Sequence, residues 1–236
     1  MSHREAAVIM KRELRAYFTS PVAYIVIALF LVFNGFFFFK DFFYFRQAEM
    51  RSFFQRLPLF FAVFVPALTM RLFSEEKHSG SIEILLTMPV TTYDAVIGKF
   101  LAGSVFAALS LAPTLLYMIT VIFVGSPDPG PLLGGYIGAL FLGASYAAIG
   151  VCVSSSTKNQ VTAFIIALAV NLTLWLMSNV TVFLPSKLRF LEYFGIDFHF
   201  QNIAKGLIDF RDLVYFLSII VIAVIAAVKI IDERKK

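Results

Sequence analysis

Glu75, Glu76 and His78 are the side chains whose types and spacing could do chemistry. Two carboxylates beside an imidazole can hold a metal or exchange a proton, and intramembrane proteases use such groups inside the bilayer. Here they fall in RLFSEEKHSG, a segment dense with charge, which puts them at a membrane edge and not deep within one. His3 and His199 have no partner spaced for ligation. The chain lacks GxxxxGK[ST]; its one Gly-Lys pair, Gly98-Lys99, is followed by Phe100 and has no earlier glycine at the required place. GxSxG and HExxH are also missing. Catalytic, metal and cofactor residues are therefore not expected on this chain. The acidic trio reads either as a solvated loop face or as a docking surface for a basic groove on a partner.

The trio belongs to residues 71–99, a long polar interruption between apolar runs. Within it, residues 80–88 have the pattern of a short amphipathic helix. Ile82, Leu85 and Leu86 share one side at i, i+3, i+4, while Glu83 and Thr87 share another. Glu83 falls in the first turn, where a carboxylate suits the positive helix end. Pro89 lacks an N–H and disfavours helical geometry in Met88, so the helix is expected to stop there.

The elements that must hold this rod are apolar. The 236 residues are 59% hydrophobic and 15% charged, with mean hydropathy +0.83. Soluble domains run about 45–50% apolar and about 25% charged. The excess lies in long runs, which predicts one all-α polytopic membrane domain, its 28 Phe serving spans and interfacial belts. The expected spans cover residues 21–39, 57–73, 100–124, 132–153, 161–183 and 213–231, with a bend near Pro66 in the second. Residues 4–18 read as an amphipathic helix in the headgroup plane, with Arg4, Lys11, Arg12 and Arg15 on its polar side. Residues 40–56 and the GSPDPGP turn join spans, and residues 184–212 read as short aromatic helices dipping into a membrane face. In the fourth span Gly135, Ala139, Gly143 and Ala147 repeat every four residues beside a Gly134/Gly138 pair, a stripe suited to helix packing within the subunit or at a dimer seam.

Net charge is +5, and the basic residues flank apolar runs, so anionic membrane lipids and not nucleic acid are the expected partners of that charge. Cys152 is the single cysteine and permits no internal disulfide. The first twenty residues do not read as a signal peptide. Six spans place both termini on one side, and that side carries twelve of the twenty Lys and Arg, which assigns it to the cytoplasm. Apart from Arg71 and Lys229 at the ends of theirs, no charged residue falls inside an expected span, which argues against a hydrophilic ion path.

The segment FSEEKHSGSIEILLTMPVTTYDAVIGKFLAG strongly resembles the cytoplasmic segment after the second span of ABC-2 type transporter permeases. The family's acidic pair, basic residue, Gly-Thr/Ser, apolar residue, Glu, Leu-Leu, Pro and Gly-Lys match Glu75, Glu76, Lys77, Gly80, Ser81, Ile82, Glu83, Leu85, Leu86, Pro89, Gly98 and Lys99. HFQNIAKGLIDFRDLVYFLS and KRELRAYFTSPVAYI are similar to the gliding-motility-associated branch of that family.

The resemblance implies a six-helix permease of the type V exporter kind in a bacterial cytoplasmic (inner) membrane. It implies two permease subunits, as a homo- or heterodimer, resting on a dimer of ABC ATPase subunits that hold ATP and Mg. In the gliding branch an accessory membrane protein with a large extracytoplasmic region often joins them. Residues 1–20 would be the elbow helix, residues 80–88 the coupling helix seated in the ATPase, and residues 184–212 the re-entrant outer helices. Ile82, Leu85 and Leu86 would make the apolar coupling contacts, and Glu75, Glu76 and Glu83 the polar ones. The expected function is transport of a lipid-like or amphipathic substrate, with export favoured. Two other readings stay open: a force-transmitting subunit that remodels a partner without transport, and an intramembrane hydrolase built on Glu75, Glu76 and His78.

Overall fold

A computed structural model of the chain describes residues 3–45, 47–83, 90–180, 190, 192–207 and 209–233. The protein is an all-α bundle. Its helices are α1 (His3–Thr19), α2 (Pro21–Phe45), α3 (Arg51–Thr69), α4 (Arg71–His78), α5 (Thr92–Leu111), α6 (Leu115–Val124), α7 (Pro129–Ser156), α8 (Gln160–Val180), α9 (Ile196–Ala204) and α10 (Phe210–Asp232). Among the described residues, six stretches are long and apolar enough to cross a membrane: Pro21–Phe45, Arg51–His78, Thr92–Val124, Pro129–Ser156, Gln160–Asn179 and Phe210–Asp232.

Local chemistry sets several of these boundaries. Thr91 caps α5 by accepting from the Asp94 N–H at 3.1 Å. Asp128 caps α7, accepting from the Gly130 N–H at 3.0 Å, with Pro129 in the first turn where its missing donor is harmless. Asp209 caps α10 in the same way through the Arg211 N–H at 3.0 Å. Pro113 interrupts the third span as a 3₁₀ turn over Ala112–Thr114, dividing α5 from α6. The Tyr136 hydroxyl donates to the Thr114 carbonyl there at 3.0 Å, supplying a partner to backbone at the break.

The helices run further than the apolar runs that announce them. Helix α2 continues past residue 39 to Phe45, and α3 begins at Arg51, so most of the region read as a loop over residues 40–56 is helical. Glu75, Glu76 and His78 lie on α4, which prolongs the second span, and not in a loop. Nothing in RLFSEEKH breaks a helix; its charge hides the continuation from a hydropathy reading. The helix assignment passes through Pro58 and Pro66 and is interrupted at Met70, four residues beyond Pro66.

These extensions correct the reading that the spans hold no charge besides Arg71 and Lys229. Lys99 lies fully buried in α5, and Asp212 is buried in α10. Asp41 of α2 forms an ion pair with Arg56 of α3. Each is paired within the chain, as charge inside a bundle must be.

Helix α7 is the axis of the bundle. It packs against α3, α4, α5, α8, α9 and α10. Lipid tails are as apolar as Leu, so close packing and interhelical hydrogen bonds, more than the hydrophobic effect, hold such helices together. Small residues on α7 provide that closeness. A Cβ on Gly135 would stand 2.3 Å from the Phe54 ring of α3, and one on Gly143 would stand 3.2 Å from Phe61. Ala139 and Ala147 on the same stripe are fully buried. On another side, a Cβ on Gly134 would lie 2.2 Å from the Ile203 carbonyl of α9. The stripe is thus filled by the chain's own helices. Phenylalanine also serves the interior: Phe30, Phe38, Phe53, Phe54, Phe61, Phe106, Phe200 and Phe216 are buried, not confined to interfacial belts.

Helix α9 sits at the end of the bundle remote from α1, against α7 and α8. Of the aromatics expected to line this region, Phe200 is buried, whereas Phe190, Tyr193 and Phe194 are exposed. His199 Nδ1 meets Asp212 Oδ1 at 2.6 Å, joining α9 to α10.

Candidate functional site

At the α1 end of the bundle, four charged side chains from three helices converge. Lys99 Nζ on α5 lies 3.0 Å from Glu13 Oε1 on α1 and 2.9 Å from Glu76 Oε1 on α4. It also donates to the Leu72 carbonyl at 2.5 Å and stands 4.9 Å from the Phe73 ring centre. Arg12 Nη2 reaches the same two carboxylate oxygens, at 2.7 Å to Glu13 and 2.8 Å to Glu76. Two cations thus balance two carboxylates.

Burial alone would raise the Glu13 carboxyl, but Lys99 and Arg12 outweigh it and hold the group below the usual carboxylate range. Burial opposes the Arg12 charge as well, yet Glu13 and Glu76 together push that guanidinium up. Glu76 Oε2 is buried with no hydrogen-bond partner among the described residues.

Local sequence explains why these helices meet so closely. A Cβ on Gly98 would stand 2.8 Å from both the Ala6 carbonyl and Ile9 Cβ, so only glycine lets α1 lie against α5 at this level. Lys99, the next residue, then points its amine under α1. Tyr17 fastens the other end of α1: its hydroxyl donates to the Leu68 carbonyl at 2.8 Å, and Arg71 covers its ring at 4.7 Å. The Tyr17 phenol is pushed up, chiefly by burial.

A second set of contacts holds the α3–α4 junction. Ser154 Oγ of α7 donates to the Met70 carbonyl at 2.8 Å and accepts from the N–H groups of Phe73 at 2.9 Å and Ser74 at 3.1 Å. A side chain inserted into the helix ladder accounts for the interruption there. One turn further on, Lys77 donates to the Ser155 carbonyl. Helix α4 is therefore gripped by α7 on one side and by the charge cluster on another.

Past α4, Gly80 adopts φ +76°, the left-handed conformation that glycine tolerates and that ends helices. Ile82 and Glu83 return to helical backbone, the Glu83 N–H bonding the Gly80 carbonyl at 3.2 Å. Ile82 is half-buried against the apolar cluster containing Ile9, Leu72 and Val96, while Glu83 is exposed.

A family model described as ABC-2 family transporter protein matches residues 7–230. The chain belongs to the ABC-2 transporter family. A search among curated proteins returned no match. As an ABC-2 protein the chain is a multi-pass membrane permease subunit, and membership implies an ABC ATPase partner. The family's membrane subunit has no nucleotide-binding motif of its own.

Of the residues singled out in this ABC-2 permease by sequence, Glu75 is exposed on α4, Glu76 lies inside the charge cluster, and Gly80 forms the turn after α4. Leu85, Leu86 and Pro89 lie outside the described residues. Glu13 and Ser154 were not singled out, and Arg12 was read only as part of the polar side of a helix in the headgroup plane. Their partners on α4 and α5 are distant in sequence, and the only local signal was the Gly98-Lys99 pair. His78 is exposed, and no group of three His, Cys, Asp or Glu that could hold a metal occurs among the described residues.

Proposed function

We propose that this chain is the membrane lever of an ABC exporter, moved by a separate ATPase dimer that binds ATP and Mg. The observation that carries the reading is the clamp of α4 and α5 to α1 through Lys99, Glu76, Glu13 and Arg12. The segment between α4 and α5 is where the family resemblance puts the ATPase contact, and both its ends are fixed to the elbow helix. A push on residues 80–88 would then be transmitted to the second and third spans and to α1 together. Nucleotide on the partner shifts the permease only insofar as it favours one of two arrangements. Two permease subunits, with the α1 end facing the cytoplasm of a bacterial inner membrane, complete the assembly. The largely apolar spans suit a lipid-like or amphipathic substrate.

The test compares Leu85→Asp with Glu75→Ala in the complex pulled from native membranes. A buried apolar anchor is worth about 1.5–3 kcal/mol, an exposed ion pair about 0–1 kcal/mol. Leu85→Asp should therefore abolish ATPase co-purification and stimulation, while Glu75→Ala leaves most of both. Equal losses, or no ATPase recovered with the parent chain, would defeat the reading.

A further inference from the structure

At the end of the bundle opposite the charge cluster, the turn between α2 and α3, the turn between α6 and α7, and the end of α9 enclose a cavity of about 750 Å³. That volume falls within the roughly 300–1,000 Å³ usual for small-molecule sites. Its floor includes the buried side chains of Met50, Phe54 and Leu132. Its mouth carries charge of both signs, Arg51 and Lys205 against Glu49 and Asp128, all exposed.

Arg51, Lys205 and Glu49 have no side-chain hydrogen bond or ion pair among the described residues. The contrast with Arg56, one turn along α3 and paired with Asp41, is direct. Asp128 lends one oxygen to the α7 cap and keeps its charge available at the mouth. Phe43, Tyr44 and Phe45 at the end of α2 and Phe210 at the start of α10 are strongly exposed at the same end. Exposed aromatics at the ends of spans mark the headgroup level of a bilayer.

We propose that this cavity binds a zwitterionic phospho-amine headgroup, as carried by phosphatidylethanolamine. Arg51 and Lys205 take the phosphate, Glu49 and Asp128 take the ammonium, and the first carbons of the lipid lie on Phe54 and Leu132. A purely anionic headgroup would meet two carboxylates, and a simple amine would meet two cations. A free amino acid would satisfy both signs but leave the apolar floor uncovered. The proposal rests on the six-span reading for its placement at headgroup depth. It needs no ATPase, so binding by the isolated full chain is decided separately from coupling.

The experiment is calorimetric titration of the full-length chain in detergent with four probes: dihexanoyl phosphatidylethanolamine, dihexanoyl phosphatidylglycerol, phosphoethanolamine and inorganic phosphate. The ethanolamine lipid should bind at least about tenfold more tightly than the glycerol lipid, the ratio expected when one well-placed charged contact is lost. Arg51→Gln with Lys205→Gln should weaken ethanolamine-lipid binding by about tenfold or more. Glu49→Gln should narrow the gap between the two lipids while the glycerol lipid binds no worse. Should the double variant fail to fold, Arg51→Gln alone carries the comparison, with Lys158→Gln as a substitution outside the cavity. Equal binding of the two lipids, or parent-like binding by the folded Arg51 variant, overturns the site. Phosphoethanolamine binding as tightly as the lipid overturns its assignment to a lipid.

Discussion

Lys99 Nζ stands 2.9 Å from Glu76 Oε1 in a side chain that is 1% exposed. The pair joins α4 to α5 across the segment where the ATPase is proposed to act, and Glu13 of α1 shares the same amine. Removing one member of a buried ionic set leaves the others uncompensated, at about 3–5 kcal/mol. Lys99→Met should therefore lower the melting temperature of the detergent-purified chain more than Glu76→Gln, which leaves Lys99 its bond to Glu13. Glu75→Ala, at an exposed position, should leave it nearly unchanged. A Glu75 effect equal to that of Lys99 would contradict the ranking.

Glu13 gives the cluster a pH dependence whose sign is fixed. Its folded value lies below its ordinary value of 4.5, because Lys99 and Arg12 outweigh the burial that would raise it. The unfolded chain thus binds the proton more readily, and the stability Glu13 contributes is fully present above about pH 4.5 and lost as pH falls through the lower folded value. Thermal melts between pH 6 and pH 3 should show a decline that Glu13→Gln makes shallower. Identical slopes for parent and variant would remove Glu13 from the account.

The spans were legible because each is a long apolar run, and their order follows from the turns between them. Helix ends were less legible, since Glu75, Glu76 and Lys77 look like loop residues when only hydropathy is read. A charged helix face and a charged loop have the same composition; tertiary partners decide between them. The partners of Glu76 are Arg12, 64 positions away, and Lys99 on the following span. Gly98 was visible as part of a motif, but its reason, the approach of Ala6 and Ile9, required the folded pair of helices. The break at Pro113 had a local signal in the proline itself, yet residues 100–124 were read as one uninterrupted span.

Gly134 shows how little room α7 leaves. An added Cβ would lie 2.2 Å from a backbone oxygen, that of Ile203, and 3.0 Å from Gly206 Cα, so no side-chain rotation relieves the contact. Gly134→Ala should push α9 off α7 and destabilise by about 1–3 kcal/mol, the range for overpacked interiors. Gly130→Ala is the matched control, since its nearest new contact is 3.4 Å from Asp128 Oδ1. Melting temperatures of the two variants should differ clearly, with only the first depressed.

His199 and Asp212 hold α9 against the last span by a bond of another kind. The imidazole Nδ1 is 2.6 Å from Asp212 Oδ1, and its Nε2 is 2.9 Å from the Tyr193 carbonyl. A carbonyl only accepts, so Nε2 carries a hydrogen, and the ring is held at both nitrogens while Tyr215 stacks on it at 3.9 Å. His199→Ala would leave the Asp212 carboxyl buried with only the Asn202 amide, 3.5 Å away, in place of the imidazole. Its loss should cost about 3–5 kcal/mol, whereas replacing both partners with Leu removes the buried charge and should recover a large part of that. Denaturation of the single and paired variants should give a coupling energy of about 0.5–3 kcal/mol. Strict additivity would mean that α9 is held by its apolar contacts, Ile196, Phe200 and Ile203 against α7, and that the polar pair follows the packing without directing it.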